Sequence, residues 1–207
     1  MSRVSRTGLT LAAIAILCAA AVTATHRLTA TRIDTNQQAW LESRLAPALG
    51  DVDFDTGLTD DVLAIRSPHG LPGNDPAQVY RVYKDGRPAA ALFAVTAMNG
   101  YAGPIRLLVG VDVGGVVTGV RIVEHSETPG LGDKIESSRS DWVQQFPGRS
   151  LASLPIAAWS VRADGGQFDQ LTGATVTPRA VVGAVRDTLV YFDAQRDAIF
   201  AAEPELQ

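Results

Sequence analysis

Ile105-Arg106-Leu107-Leu108-Val109-Gly110-Val111-Asp112-Val113-Gly114-Gly115-Val116-Val117-Thr118-Gly119-Val120-Arg121-Ile122-Val123 reads as two strands folded back on one another. Valine, leucine and isoleucine fill both arms, because such side chains fit a pleated surface. Gly114-Gly115 supplies the predicted turn. Upstream, Val79-Tyr80-Arg81-Val82-Tyr83 alternates apolar with polar or amphipathic residues, and Asp85-Gly86 suits a second hairpin turn. The returning run from Ala89 to Ala97 is apolar enough for a buried strand. Downstream, Val181, Val182, Val185, Leu189 and Phe192 recur along one side of a helix predicted from Pro178 to about Ile199. Two consecutive hairpins, with helices gathered near the ends, do not alternate as a doubly wound sheet requires. The predicted class is α+β, with a mixed or antiparallel sheet.

Shorter pieces surround this framework. Thr35 to Ala46 has modest helical periodicity, with Leu41 and Leu45 beside Trp40, and Pro47 is expected to end it. Asp51 to Pro76, rich in Asp, Gly and Pro, predicts irregular connection with at most a short strand. Glu127-Thr128-Pro129-Gly130-Leu131-Gly132-Asp133-Lys134 is too crowded with Pro and Gly for regular structure. A short helix is predicted over Asp141 to Gln145, and a strand over Ile156 to Val161.

The N-terminus differs in character. Arg3 and Arg6 precede an uncharged stretch from Gly8 to Thr25, long enough for a membrane helix, and His26, Arg27 and Arg32 close it. A retained anchor and a cleaved signal peptide both fit, since the small residues Ala19 to Ala24 offer a processing site. Bulky Leu17 before Cys18 speaks against a lipoprotein. Arg27 and Arg32 offset Arg3 and Arg6, so charge does not set orientation. The expected division is residues 1–34, a short N-terminus, a single transmembrane helix contacting lipid through residues 8–25 and a juxtamembrane segment, then a domain from 35 to 207.

Composition excludes several functions. A formal net charge of -4 and a pI near 5.3 leave no basic field for nucleic acid. One cysteine, Cys18, excludes a disulfide framework or a cysteine-held cluster within the chain. His26, His69 and His125 have no metal-site spacing, so no metal is expected. There is no Walker loop and no GxGxxG at a strand–helix junction. No acid–base cluster marks a self-contained enzyme, and no catalytic residue is assigned.

The stretch with chemical promise is Asp169-Gln170-Leu171-Thr172-Gly173-Ala174-Thr175-Val176-Thr177-Pro178. It reads as a polar turn feeding a helix, with Thr177 as N-cap and Pro178 at the first helical position. Gly173 permits a positive-φ turn, and Ala174 leaves room beside its neighbour. Thr175 stands just before the helix, where free N–H groups and the positive end of the dipole favour a phosphate, and Arg179 is near enough in sequence to assist. Capping preferences alone also explain these features, and composition cannot show that a threonine is esterified.

The segment resembles the flavinylation motif of the FMN-binding domain family, Asp-x-x-Ser/Thr-Gly-Ala-Thr, carried by Asp169, Thr172, Gly173, Ala174 and Thr175. The resemblance implies FMN joined through its phosphate to Thr175 by a separate flavin transferase that uses FAD and Mg²⁺. Glu127-Thr128-Pro129-Gly130-Leu131-Gly132 resembles a loop of the G subunit of the Rnf (Rsx) electron transport complex and of its relative, the C subunit of the sodium-pumping NADH:quinone reductase. In that family the loop lies against the flavin, so Glu127, Thr128, Pro129, Gly130 and Leu131 join Thr177 and Arg179 as candidate cofactor contacts. Glu127 is expected to accept a flavin hydrogen bond.

The resemblance further implies a redox subunit without independent substrate chemistry. Such a subunit relays electrons in a complex that couples ferredoxin/NAD electron transfer to ion movement. It would be anchored once in the bacterial inner membrane with its main domain in the periplasm. Its partners would be other Rnf subunits and, during maturation, the transferase. The sodium-pump subunit, a self-contained exported FMN enzyme and a non-catalytic envelope binding protein are the alternatives. Tyr101, His125, Asp133 and Lys134 receive no definite role.

Overall fold

The computed structural model describes residues 11–12, 14–20, 22–23, 42–65, 70–73 and 76–201. The chain forms two compact units, Met1–Leu41 and Glu42–Gln207. In the first, the described residues are helical and exposed. Among the described residues no helix is long and apolar enough to cross a membrane. The expected span over 8–25 lies in part outside them, as does most of the helix expected over Thr35 to Ala46. Residues 42–45 of that helix are seen, passing into a 3-10 turn at Ala46–Ala48 that accommodates Pro47.

The second unit is built on a five-stranded sheet in the order β1-β2-β3-β4-β5, antiparallel throughout. The strands are β1 (Val62–Ile65), β2 (Ala77–Lys84), β3 (Arg87–Ala97), β4 (Ile105–Asp112) and β5 (Val117–Glu124). The one long helix described in this unit, α1, spans Val176–Ala201. Both predicted hairpins form. Asp85 (φ 49°) and Gly86 (φ 70°) are both positive, as a two-residue type I′ turn demands. The β4–β5 turn is one residue longer than the Gly114-Gly115 turn expected. The Asp112 N–H donates to the Val116 carbonyl and the Gly115 N–H to the Asp112 carbonyl, each at 2.9 Å, leaving Gly115 at φ 82°.

β3 and β4 read as almost unbroken apolar runs because both faces of the sheet are covered. Phe93, Val95, Leu107, Val109 and Val111 join Val181, Val182, Val185, Leu189 and Phe192 of α1 in one core. Phe93 meets Phe192 edge to face, centroids 6.0 Å apart. Burying such a side chain is worth about 1.5–3 kcal/mol, against helix propensities of at most about 0.7 kcal/mol per ordinary residue, so packing fixes α1. On the opposite face the Thr118 hydroxyl donates to the Ala48 carbonyl at 2.9 Å. A Cβ on Gly110 would stand 2.0 Å from that same oxygen, so the backbone approach there requires glycine.

Three expectations are corrected. Ile156 to Val161 is not a strand: Ile156–Ala158 closes as a 3-10 turn after Pro155, with the Ala158 N–H donating to the Pro155 carbonyl at 2.8 Å. Only Val161 makes a bridge, to Phe168. Local hydrogen bonds satisfy that backbone, and Ile156 stays exposed. The Pro/Gly-rich loop, expected to lack regular structure, contains a 3-10 turn, Gly132–Ile135, while the short helix expected over 141–145 forms as another, Trp142–Gln145. Finally, α1 begins at Val176, so Thr177 lies inside its first turn rather than capping it, with Pro178 next. Proline is tolerated there because first-turn N–H groups lack intrahelical partners in any case.

Candidate functional site

Two motifs some forty residues apart in sequence meet at the start of α1. They line a cleft of about 300 Å³, bounded by Tyr101, Glu127, Thr128, Leu131 and Gly132 on one side and Gly173 to Thr177 on the other. On the helix side, the Ala174 N–H donates to the Leu171 carbonyl at 3.0 Å, closing a turn whose third residue, Gly173, has φ 82°. A type II turn demands that sign of φ, which favours glycine. The turn delivers Thr175 to the position before the helix, exposed, with no partner for its hydroxyl among the described residues. Unpaired first-turn N–H groups and the helix dipole make this point attractive to an anion.

The opposing loop is tightly drawn. The N–H groups of Leu131, Gly132 and Asp133 point at the Thr128 carbonyl, at 3.2, 3.0 and 3.4 Å. Glu127 is only 4% exposed. One carboxylate oxygen accepts the Ala102 N–H at 3.0 Å, and the other accepts the Thr177 hydroxyl. Behind it, the Glu127 N–H donates to His125 Nδ1 at 3.0 Å, so His125 bears its proton on Nε2 and faces Glu136 Oε1 at 2.7 Å. The Ser138 hydroxyl, then the His125 contact, hold the Glu136 carboxyl below the ordinary glutamate range.

The remaining candidates sit apart from the cleft. Asp169 pairs with Arg162 at 3.0 Å, while its backbone accepts Trp142 Nε1 at 2.6 Å and donates to Gln145 at 2.7 Å. It anchors the approach to the turn. Arg179 is turned to Asp164, with bonds of 2.6 and 2.8 Å, and lines a neighbouring groove of about 600 Å³. That pairing holds Asp164 below the usual carboxylate range and raises Arg179. Thr172, Pro129 and Gly130 are exposed and do not line the cleft. Asp133 is buried with one oxygen unpartnered among the described residues. No described cluster of His, Cys, Asp or Glu could hold a metal ion.

Sequence reasoning named Leu131, gave Tyr101 no definite role and did not single out Val176. Tyr101, 71% exposed, lines the cleft together with half-exposed Leu131 and Val176, giving it an apolar rim. The available signal was an aromatic residue set in a glycine-rich loop, Gly100-Tyr101-Ala102-Gly103.

Comparison with known proteins bears on this geometry. The FMN-binding domain family matches residues 100–190, which include both walls of the cleft, and the RnfG N-terminal region matches residues 1–47. The G subunit of an ion-translocating oxidoreductase complex from Pseudoalteromonas atlantica is 41% identical over 202 residues, 98% of this chain and 94% of the relative. The corresponding G subunit from Pseudomonas aeruginosa is 42% identical over 200 residues, 96% and 92% of the two chains. Among solved structures, the C subunit of the Na⁺-translocating NADH-quinone reductase of Parabacteroides distasonis aligns with a TM-score of 0.50 at 17% identity. The alignment covers 82% of this chain and 96% of that one, a likeness of fold.

Proposed function

Since the chain belongs to the G-subunit family of ion-translocating oxidoreductase complexes, we propose that it carries FMN esterified to Thr175 and relays electrons within such a complex. The observation that supports this most is the meeting of the two motifs around an exposed Thr175 hydroxyl, unpartnered among the described residues, at the start of α1.

The residues present fit the group. The start of α1 supplies N–H donors and positive potential for one phosphate. Tyr101, Leu131 and Val176 offer apolar surface that would cover part of a flat ring and exclude water from it. When bound, FMN supplies chemistry in which electrons are taken up singly or in pairs. The chain's own part is to tether, orient and shield. A phosphoester on a fixed turn prevents loss of the cofactor, and a cleft open on one side leaves the ring within reach of partners. Glu127 has both oxygens engaged by the protein and so supports the wall. Arg179, committed to Asp164, is not held ready for phosphate.

In this reading residues 8–25 anchor the chain in the bacterial inner membrane, with the domain from 35 to 207 on the periplasmic side. Its partners are the other members of the complex and, during maturation, a flavin transferase. Ion movement belongs to those other members, because the stretch from Gly8 to Thr25 has no charged residue to line a path. The G-subunit relatives, at 41–42% identity, favour this assignment over the sodium-pump subunit, whose likeness is one of fold.

The test is co-expression with a competent flavin transferase, followed by denaturing electrophoresis and flavin fluorescence. The wild-type band should fluoresce, and Thr175→Ala should give a folded but dark protein. Fluorescence retained by Thr175→Ala would place the attachment elsewhere. A colourless, unmodified wild type would favour the envelope binding protein.

A further inference from the structure

Glu127 is a carboxylate buried without a cation: among the described residues no basic side chain pairs with it, and its two oxygens take the Ala102 N–H and the Thr177 hydroxyl. Burying a charged group in this way is unfavourable compared with an apolar side chain of the same size. Residues that break such a rule cluster where geometry matters more than stability.

The surroundings are shaped around this side chain. A Cβ on Gly100 would stand 2.2 Å from the Gly103 carbonyl oxygen and 2.8 Å from Glu127 Oε1. One on Gly132 would stand 2.9 Å from Glu127 Cβ and 3.0 Å from both Glu127 Oε2 and Thr177 Oγ1. At Gly132 the atoms in the way belong to Glu127 and its partner Thr177, whereas at Gly100 the Gly103 backbone already excludes a side chain. From behind, His125 receives the Glu127 N–H and is itself held by Glu136, so the point from which the side chain departs is also fixed. Three separate segments therefore converge on one carboxylate: the loop after β3, the loop after β5 and the first turn of α1.

We propose that Glu127 is a positioning residue for flavin attachment: by clamping Thr177 it fixes the first turn of α1 and hence where the Thr175 hydroxyl stands. The inference rests on the reading of Thr175 as the attachment site. In the step concerned, the Thr175 oxygen bonds to the FMN phosphorus of FAD. The bond from that phosphorus to the bridging oxygen breaks, AMP departs with the electron pair, and the hydroxyl proton passes to the transferase or solvent. Glu127 touches none of the reacting atoms. It acts through Thr177, two residues from the nucleophile.

The experiment measures the initial rate of flavin attachment to the full chain, using purified transferase, FAD and Mg²⁺, over a range of acceptor concentrations. Wild type is compared with Thr177→Val, Thr177→Ser, Glu127→Ala and Glu127→Gln, with cooperative unfolding as the check on folding. Thr177→Val keeps the branched shape and puts a methyl group in place of the hydroxyl, so it decides the matter even where Glu127→Ala fails to fold. The expected result is a kcat for modification about 10- to 100-fold lower in Thr177→Val and Glu127→Ala, with KM little changed, as misplacement of a reacting group produces. Thr177→Ser and Glu127→Gln, which preserve a hydrogen bond between the two positions, should restore most of the rate. A folded Thr177→Val modified at the wild-type kcat would overturn the proposal. A wild type that accepts no flavin would instead overturn the assignment of Thr175 beneath it.

Discussion

Gly173→Ala perturbs the turn that delivers Thr175 without touching the core. Gly173 has φ 82°, and an L-residue with a Cβ pays about 1–2 kcal/mol for that conformation. Alanine also lowers the entropy of the unfolded chain, which returns about 0.4–1 kcal/mol. The backbone penalty is the larger, so the net sign is destabilising, by about 1 kcal/mol. The new Cβ would also stand 3.0 Å from Leu131 Cδ2, but that is the free end of a half-exposed side chain able to swing aside. For a domain of this size the melting midpoint should fall by about 2–4 °C. Gly173→Asn separates the two effects: it adds the same Cβ but visits positive φ more readily, so it should recover part of the loss. Thermal and urea unfolding followed by far-UV circular dichroism measure both variants. An alanine variant as stable as wild type, or an asparagine variant no better than alanine, would refute the assignment of the glycine to backbone geometry.

Arg81, 1% exposed, bonds Asp61 at 2.8 and 2.5 Å and the Ile199 carbonyl at 2.7 Å, tying β2 to the last turns of α1. Arg81→Met should cost about 3 kcal/mol in urea unfolding, and adding Asp61→Leu should recover part of it; a single variant within experimental error of wild type would contradict this. Phe93→Ala, which empties the contact with Phe192, should destabilise by about 3–5 kcal/mol in the same assay. Glu136 has its carboxyl held low in the folded protein, so its contribution is fully present above the unfolded-state value and lost as pH falls through the folded one. The stability gap between wild type and Glu136→Gln should therefore close on acidification, and a gap independent of pH would show that the Ser138 and His125 bonds do not favour the ionised form.

The parts legible in the sequence were those whose cause is local. Asp85-Gly86 announces its turn because both residues must take positive φ, and Gly173 does so within the Thr172–Thr175 motif. The stripe from Val181 to Phe192 foretells α1 because packing follows its period. What failed depended on a local turn in one case and on neighbours farther along the chain in the others. Ile156 to Val161 looks like a strand by composition, but its backbone closes on itself after Pro155. Thr177 looks like a cap, yet its hydroxyl goes to Glu127, fifty residues away. Arg179 lies close to Thr175 in sequence, but one helical turn swings it toward Asp164. Glu127 lines the cleft, while its bonds to Ala102 and Thr177 join segments that only the fold brings together.

Whether Thr175 bears FMN can be read from the intact mass of denatured protein made in its native host, followed by mapping of the peptide from Ala163 to Arg179. A mass gain equal to FMN less one water, located on Thr175, is the expected result. An unmodified Thr175, in a host shown to flavinylate related proteins, would contradict it.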